Sequence, residues 1–274
     1  MPGLSIITIN FNNRAGLEKT LKSVTCQAFS DYEYIVIDGG STDGSFELIK
    51  QYADKITYWV SESDNGIYNA INKGINKARG EYCMFLNSGD YLADSTSLLK
   101  IFSYDFNEEI IYWNFYVLYE KRKCRKFIQP DVPSAALFYN GSLNHQSCLI
   151  RRSLFDKFGM YDETYMLLSD TLFFLKTIIF GETSTRHLNL FLTFYDGSGI
   201  SAKNTTLAKT ERERIQKEFF PEWVKPDFER LKKFESTVWI LDRSGFNPFV
   251  RFIFKSLNKL ISLFYFKNDS SSYQ

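Results

Sequence analysis

Two apolar runs in this chain are each closed by an acid. Asp38 ends Glu33-Tyr34-Ile35-Val36-Ile37-Asp38 immediately before Gly39-Gly40-Ser41-Thr42-Asp43-Gly44. Asp90 ends Asn87-Ser88-Gly89-Asp90, which follows Glu81-Tyr82-Cys83-Met84-Phe85-Leu86. An acid at the end of an apolar strand is hard to explain by packing. At Asp38 a carboxylate can accept a hydrogen bond from a base N–H, while the glycines let a ligand approach the backbone. The alternative there is a plain strand-to-helix turn with Ser41 or Asp43 as the N-cap. At Asp90 a hard carboxylate beside a glycine suits Mg²⁺ or Mn²⁺ already partly ligated by a diphosphate; the alternative is an Asx-type turn capping the next helix. A third acid, Asp170, precedes the apolar run Leu172-Phe173-Phe174-Leu175, where Asp is also a common helix start. His145, within Asn144-His145-Gln146, and His187 are the only histidines, and a lone His is more often structural than a ligand. Arg151-Arg152 could meet phosphates, or be a solvated pair before a helix.

These acids need elements to hold them. Leu4–Asn10 and Glu33–Asp38 read as strands buried on both faces, followed by Ile56–Ser61 and Glu81–Leu86. Helices are predicted between them, over Ala15–Ala28 (Leu17, Leu21 and Val24 at helical spacing), from Ser41 through Ala53, and over 67–79. Strands alternating with helices of this length imply right-handed βαβ units and a mainly parallel sheet. In such sheets ligands sit outside the carboxyl ends of the strands, where Asp38 and Asp90 fall. The second half is less regular. Ile110–Tyr119 and Arg125–Gln129 are predicted to form a hairpin, with short strands at Cys148–Arg152 and Leu188–Phe194. Helices are expected at Ser153–Phe158, Asp170–Phe180 and the charged segment 203–220.

The 274 residues carry a net charge of +1, so nothing global recruits nucleic acid. Two histidines and four scattered cysteines, with no C-x-x-C pair, argue against a zinc site. Met1-Pro2-Gly3 leads straight into a strand without a signal-peptide pattern, and no run of 18 or more uncharged apolar residues is present. A cytoplasmic protein, soluble or peripheral on the cytoplasmic face of a membrane, is expected.

Taken in order, the motifs resemble family 2 glycosyltransferases with the GT-A fold, in particular bacterial polysaccharide-assembly members. The blocks are Thr8-Ile9-Asn10-Phe11-Asn12, Asp38-Gly39-Gly40-Ser41-Thr42-Asp43-Gly44, Gly66-Ile67-Tyr68-Asn69-Ala70-Ile71-Asn72-Lys73-Gly74, Gly80 to Asp90, and the later Leu168-Ser169-Asp170. The resemblance is strong over residues 4–92, moderate over 140–200 and absent beyond about 203. It implies an α/β, Rossmann-like GT-A domain over 1–202, with a nucleotide-binding half (1–100) and an acceptor half (101–202). A helical C-terminal extension over 203–274 would follow. It also implies a nucleotide site drawn from Thr8, Phe11, Asn12, Asp38, Asp64, Asn72 and Ser88, with Thr8, Phe11 and Asp38 framing the base. Asp90 would bind Mn²⁺ or Mg²⁺, Asp170 would be the general base, and His145 and Gln146 would lie near the acceptor or the diphosphate. Asn87 and Gly89 replace two acids of the usual run, so either Asp90 and the diphosphate suffice for the metal or metal dependence is weakened.

The implied reaction is an inverting single displacement. A sugar moves from a nucleotide-diphosphate sugar, expected to be a UDP-sugar, to a glycan or lipid-linked acceptor in surface polysaccharide synthesis. A nucleotidyltransferase is disfavoured because no basic glycine-rich loop follows the first strand. An inactive nucleotide-sugar-binding scaffold is the non-enzymatic alternative, supported by the depleted acid run. Finally, residues 247–267 place Arg251, Lys255 and Lys259 along one side of a helix opened by Pro248, with a bulky aromatic remainder. A basic helix of this kind can lie in a membrane interface or pair with a second copy as a homodimer.

Overall fold

The first four strands form because their sequences are β-branched and aromatic, and all but the third are almost entirely buried. In the computed structural model, which describes residues 2–119, 123–199, 204–231 and 233–234, β1 is Leu4–Asn10, β2 Tyr32–Asp38, β3 Tyr58–Ser61 and β4 Tyr82–Phe85. They pair in parallel in the order β3-β2-β1-β4. The connections are α1 (Arg14–Thr25), α2 (Ser45–Gln51) and α3 (Ile67–Ile75). The order reverses at β1, whose two neighbours are β2 and β4, and this switch point makes a crevice at the carboxyl ends of the strands. Asn10, Asp38 and the Asn87–Asp90 turn stand around it.

The sheet then becomes mixed. After β5 (Tyr91–Leu92) and α4 (Ser97–Phe102) come β6 (Ile110–Tyr119) and β7 (Lys123–Phe127), an antiparallel hairpin. Next are α5 (Ala135–Asn140), β8 (Cys148–Arg151), α6 (Ser153–Phe158) and α7 (Ser169–Phe174). The last two elements of the larger unit are β9 (Thr185–Asp196) and α8 (Thr205–Phe219). β8 joins β4 and β6 antiparallel, while β9 runs parallel to β6 and antiparallel to β5. The β5–β9 pairing places Tyr91 opposite Phe194, which brings the end of β9 beside the turn that carries Asp90.

Leu17, Leu21 and Val24 of α1 pack with Leu4, Ile6, Val36 and Met84 in the main core, which continues through Trp113 and Leu149. The helix predicted from Ser41 starts instead at Ser45. Gly44, with φ 88°, occupies the cap position, while Asp43 Oδ1, one residue earlier, accepts from Ser45 N (3.1 Å). Neither Ser41 nor Asp43 is its N-cap: Ser41 bonds to Asp38, and Asp43 Oδ2 accepts from Arg14 N (2.7 Å). The helix predicted over Asp170–Phe180 is α-helical only to Phe174 and continues as a π-helix over Leu175–Phe180.

The chain divides into units Met1–Phe219 and Phe220–Gln274. The first therefore extends past the expected boundary at 202, because α8 buries Ile215 and the carboxylate of Glu211 within it. In the second unit the described residues form a 3₁₀ turn, Glu222–Val224, and a short helix from 225. The basic segment 247–267 lies outside the described residues. Among those described, no helix is long and apolar enough to cross a membrane.

One glycine fixes how α3 returns to the sheet. A Cβ on Gly80 would come within 2.5 Å of Ser5 N, and this backbone cannot move aside. Gly80 N donates to Ser5 Oγ (2.8 Å) and to the buried Glu33 (3.2 Å), whose carboxylate also accepts from Ser5 Oγ (2.7 Å). Gly80→Ala is therefore expected to destabilise the protein by about 1–3 kcal/mol, measured by urea denaturation. An unchanged midpoint would contradict this packing.

Candidate active site

The crevice at the switch point has three corners. At the first, Asp38 is wholly buried and its carboxylate is already fully engaged. Oδ1 accepts from Asn10 Nδ2 (2.7 Å) and Ser41 Oγ (2.6 Å), and Oδ2 from Ser41 N (3.0 Å) and Ser61 Oγ (2.6 Å). Burial is the largest influence on its pKa and acts upward, but these hydrogen bonds together hold it below the ordinary carboxylate value. A carboxylate has about four lone-pair sites, so Asp38 organises the turn, and a base N–H would have to displace one of its donors. A more open carboxylate is close by. A Cβ on Gly39 would lie 2.5 Å from Asp64 Oδ2 and 3.1 Å from the Phe11 ring. Phe11 is 63% exposed, and Asp64 Oδ1 accepts from Gly66 N (3.0 Å). An exposed ring and a carboxylate on either side of a glycine are the parts that stack a flat base and accept its N–H.

The other sequence-selected positions divide. Asn12, at φ 48°, accepts from Thr42 N through its side chain (2.9 Å) and shapes the same turn. Ser88 accepts Asn13 Nδ2 at its carbonyl (2.9 Å) beside the crevice. Thr8 is fully buried in β1, with its hydroxyl 3.0 Å from Tyr34 Oη. Asn72 donates to Tyr161 O (2.9 Å) and Glu163 Oε1 (2.8 Å) and accepts from Tyr161 N (3.1 Å). Its amide staples α3 to the 161–163 loop.

At the second corner Asp90 meets an acid that the motif reading passed over. Asp196 N donates to Asp90 Oδ1 (2.8 Å), and Asp196 Oδ2 would lie 2.9 Å from a Cβ on Gly89. Gly89 has φ 110°, which suits a residue without a side chain. Burial pushes the Asp90 carboxyl up to about 7, with Asp196 adding a like charge and its backbone N–H, His145 and Gln146 opposing the shift. Among the described residues no group of three or more His, Cys, Asp or Glu is arranged to hold a metal ion. Two neighbouring carboxylates nevertheless fit a divalent cation that takes its remaining ligands from a diphosphate.

The third corner is Asp170, near the start of α7. Its Oδ2 lies 2.7 Å from His145 Nδ1, and its Oδ1 accepts from Tyr68 Oη (3.1 Å) and Thr171 N (2.8 Å). Burial again acts most strongly and upward, yet His145, Thr171 and Tyr68 hold the carboxyl below its ordinary value, so it is ionised at neutral pH. Glu211 on α8 fixes the approach to α7. Its carboxylate accepts from Met166 N, Leu167 N and Leu168 N at 2.6, 3.0 and 2.9 Å. Asp170, His145, Gln146, Tyr68 and Asn87 line one cavity of about 180 Å³. His187 stands apart, with Asp131 Oδ1 at 2.8 Å and Asn114 Oδ1 at 2.9 Å. Arg151 is spent on Glu81 (2.6 Å) and Tyr82 (2.7 Å), and Arg152 on Gly80 O (3.2 Å).

The sequence profile described as "Glycosyl transferase family 2" matches residues 5–159, which carry the first two corners but for Asp196. The chain belongs to glycosyl transferase family 2. It is 26% identical over 220 residues to a PGL/p-HBAD biosynthesis glycosyltransferase of Mycobacterium tuberculosis, covering 78% of this chain and 84% of that one. An uncharacterised glycosyltransferase of the same organism is 30% identical over 207 residues, covering 73% and 78%. Among solved structures, Staphylococcus aureus TarS 1–349 in complex with UDP superposes with a TM-score of 0.59 at 18% identity, over 70% of this chain and 60% of TarS. That likeness bears on fold, and it agrees with the α/β GT-A architecture expected from the motifs.

Within this glycosyltransferase, Asp196 and α8 are what motif reading missed. Asp196 did carry a signal, since Asp196-Gly197-Ser198-Gly199 repeats the pattern of an acid closing an apolar run before glycine. Glu211 carried none, because it sits in a helix whose sequence is charged throughout.

Proposed function

We propose that the chain is an inverting glycosyltransferase that uses a nucleotide-diphosphate sugar, with UDP-sugars the favoured class, and a glycan or lipid-linked acceptor. The observation that carries this reading is the spacing of roles around one crevice: a base pocket at Phe11 and Asp64, a paired-acid corner at Asp90 and Asp196, and an ionised Asp170 facing a cavity. The printed names of related proteins agree with it. TarS is described with UDP and UDP-GlcNAc, a Pyrobaculum calidifontis mannosyltransferase with GDP-Man and Mn²⁺, and the mycobacterial relative with PGL biosynthesis.

On this reading Phe11 stacks the base and Asp64 accepts its N–H. Asp90 and Asp196 would hold Mn²⁺ or Mg²⁺, which would offset the negative charge that develops on the leaving diphosphate. Asp170 removes the proton from the acceptor hydroxyl as its oxygen bonds to the anomeric carbon and the bond from that carbon to the diphosphate oxygen breaks. His145 and Tyr68 hold Asp170 in one orientation, and Glu211 holds the segment that carries it. Attack opposite the leaving group inverts the anomeric centre.

Two tests follow. Incubation with UDP- and GDP-sugars, Mn²⁺ and a panel of glycoside and lipid-linked acceptors should release nucleotide with one donor class, and proton NMR should show an inverted anomer. Donor binding without nucleotide release, whether acceptor is present or not, would instead favour a binding scaffold. Separately, Asp196→Asn is expected to weaken Mn²⁺-dependent UDP binding by about 10- to 100-fold and to leave metal-free binding unchanged, as read by calorimetry. Equal affinities with Mn²⁺ would remove Asp196 from the metal corner.

A further inference from the structure

Several residues around the cavity beside Asp170 carry polar atoms that the protein itself leaves unmatched. Ser142 Oγ, Asn144 Oδ1, His145 Nε2 and Thr171 Oγ1 all belong to its lining residues, and each is buried with no hydrogen-bond partner. Buried polar groups are ordinarily paired. Four unpaired ones on residues around one opening mark a wall whose polar groups are not used up within the protein itself.

Arg212 of α8 adds a charge to that surface. Among the described residues it is the one lysine or arginine that lines the cavity. Its Nη1 donates to Gly141 O (2.9 Å) and Phe138 O (3.3 Å) at the end of α5, which fixes the guanidinium in place. Among the described residues it forms no ion pair, whereas the exposed Lys209, three residues earlier on α8, pairs with Glu213. Burial holds its pKa below the ordinary arginine value, so the cation is partly desolvated. A partly buried cation without an ion-pair partner is costly until an anion reaches it. Position indicates which anion. Arg212 and Asp170 line the same cavity, and neither Asp90 nor Asp196 is among its lining residues. Arg212 thus belongs to the Asp170 end of the crevice and not to the acid corner where the donor diphosphate would sit.

We propose that Arg212 reads an anionic group, a carboxylate or a phosphate, carried by the acceptor close to the hydroxyl that reacts. Its planar fork, already oriented by two carbonyls, matches two oxygens of either group. The inference rests on the transferase reading and narrows its acceptor to anionic molecules, with a uronic acid and a sugar phosphate as the two sources.

Calorimetry on the full chain, in Mn²⁺ and saturating UDP, with p-nitrophenyl β-glucuronide, glucose 1-phosphate and neutral p-nitrophenyl β-glucoside separates these sources. At least one anionic probe is expected to bind about 10- to 100-fold more tightly than the glucoside, and the tighter of the two names the source. Arg212→Gln should bring that probe to the glucoside's level while Mn²⁺-dependent UDP binding stays as in wild type. Equal or absent binding of all three probes by wild type that binds UDP would overturn the inference and leave the donor site standing. A glutamine variant that keeps the preference would also overturn it. Failure of wild type to bind UDP at all would instead remove the transferase reading, and the inference with it. If Arg212→Gln does not fold, Arg212→Lys decides. That variant keeps the charge but loses the fork, so a reduced preference is expected and an undiminished one contradicts the proposal.

Discussion

Replacing Asp170 with asparagine is expected to lower kcat by about 10²–10⁴-fold while leaving Mn²⁺-dependent UDP binding within about twofold of wild type. The amide keeps the acceptor for Tyr68 Oη and the shape of the site, but it cannot take a proton. The hydrogen bonds from His145, Thr171 and Tyr68 already hold the acid ionised at neutral pH, so its loss should be seen across the whole working pH range. Turnover assays of nucleotide release, paired with calorimetry of UDP, separate the two readouts. A variant with unimpaired turnover would show that Asp170 is only a helix-start residue, as its position before Leu172-Phe173-Phe174 also permits.

The second large effect concerns stability and grows with pH. Burial raises the Asp90 carboxyl to about 7, so the folded state binds that proton more tightly than the unfolded chain does. The stabilisation this gives is complete below the unfolded value near 4 and is lost as pH rises to about 7. Above that pH the metal-free protein carries a buried, ionised acid beside Asp196. Asp90→Asn removes this burden and is expected to stabilise the protein in EDTA at pH 8 by up to about 4 kcal/mol relative to wild type, with little difference at pH 4. Adding Mn²⁺ should raise the melting temperature of wild type and not of the variant. A variant less stable than wild type in EDTA at pH 8 would mean that Asp90 is stabilised by its protein partners alone.

Much of this arrangement was legible in the sequence where the determinants are local. The apolar runs mark β1 and β6 with the bounds they have in the fold, and the glycine-punctuated turns locate Asp38, Asp90 and the crevice between them. What sequence could not supply is partnership across the chain. Asp38 invites assignment as a base reader until Asn10, Ser41 and Ser61 are seen to take all its lone pairs. Asn72 falls within a family motif, yet its amide is used on Tyr161 and Glu163. Asp90 looks like the survivor of a depleted acid run because its companion, Asp196, arrives through the antiparallel pairing of β5 with β9. No local pattern specifies that register. Helix α8 reads as a charged appendage because most of its face is solvated, whereas Glu211 and Arg212, adjacent in sequence, both turn toward the site.

The paired-acid corner and the base pocket should together make one metal-dependent nucleotide site. Calorimetric titration of UDP and GDP into wild type and Asp90→Ala, with and without Mn²⁺, tests this most directly. One nucleotide, expected to be UDP, should bind wild type tightly only with Mn²⁺, and this dependence should disappear in the variant. Binding of neither nucleotide by folded wild type, or equal Mn²⁺-dependent binding by Asp90→Ala, would contradict it.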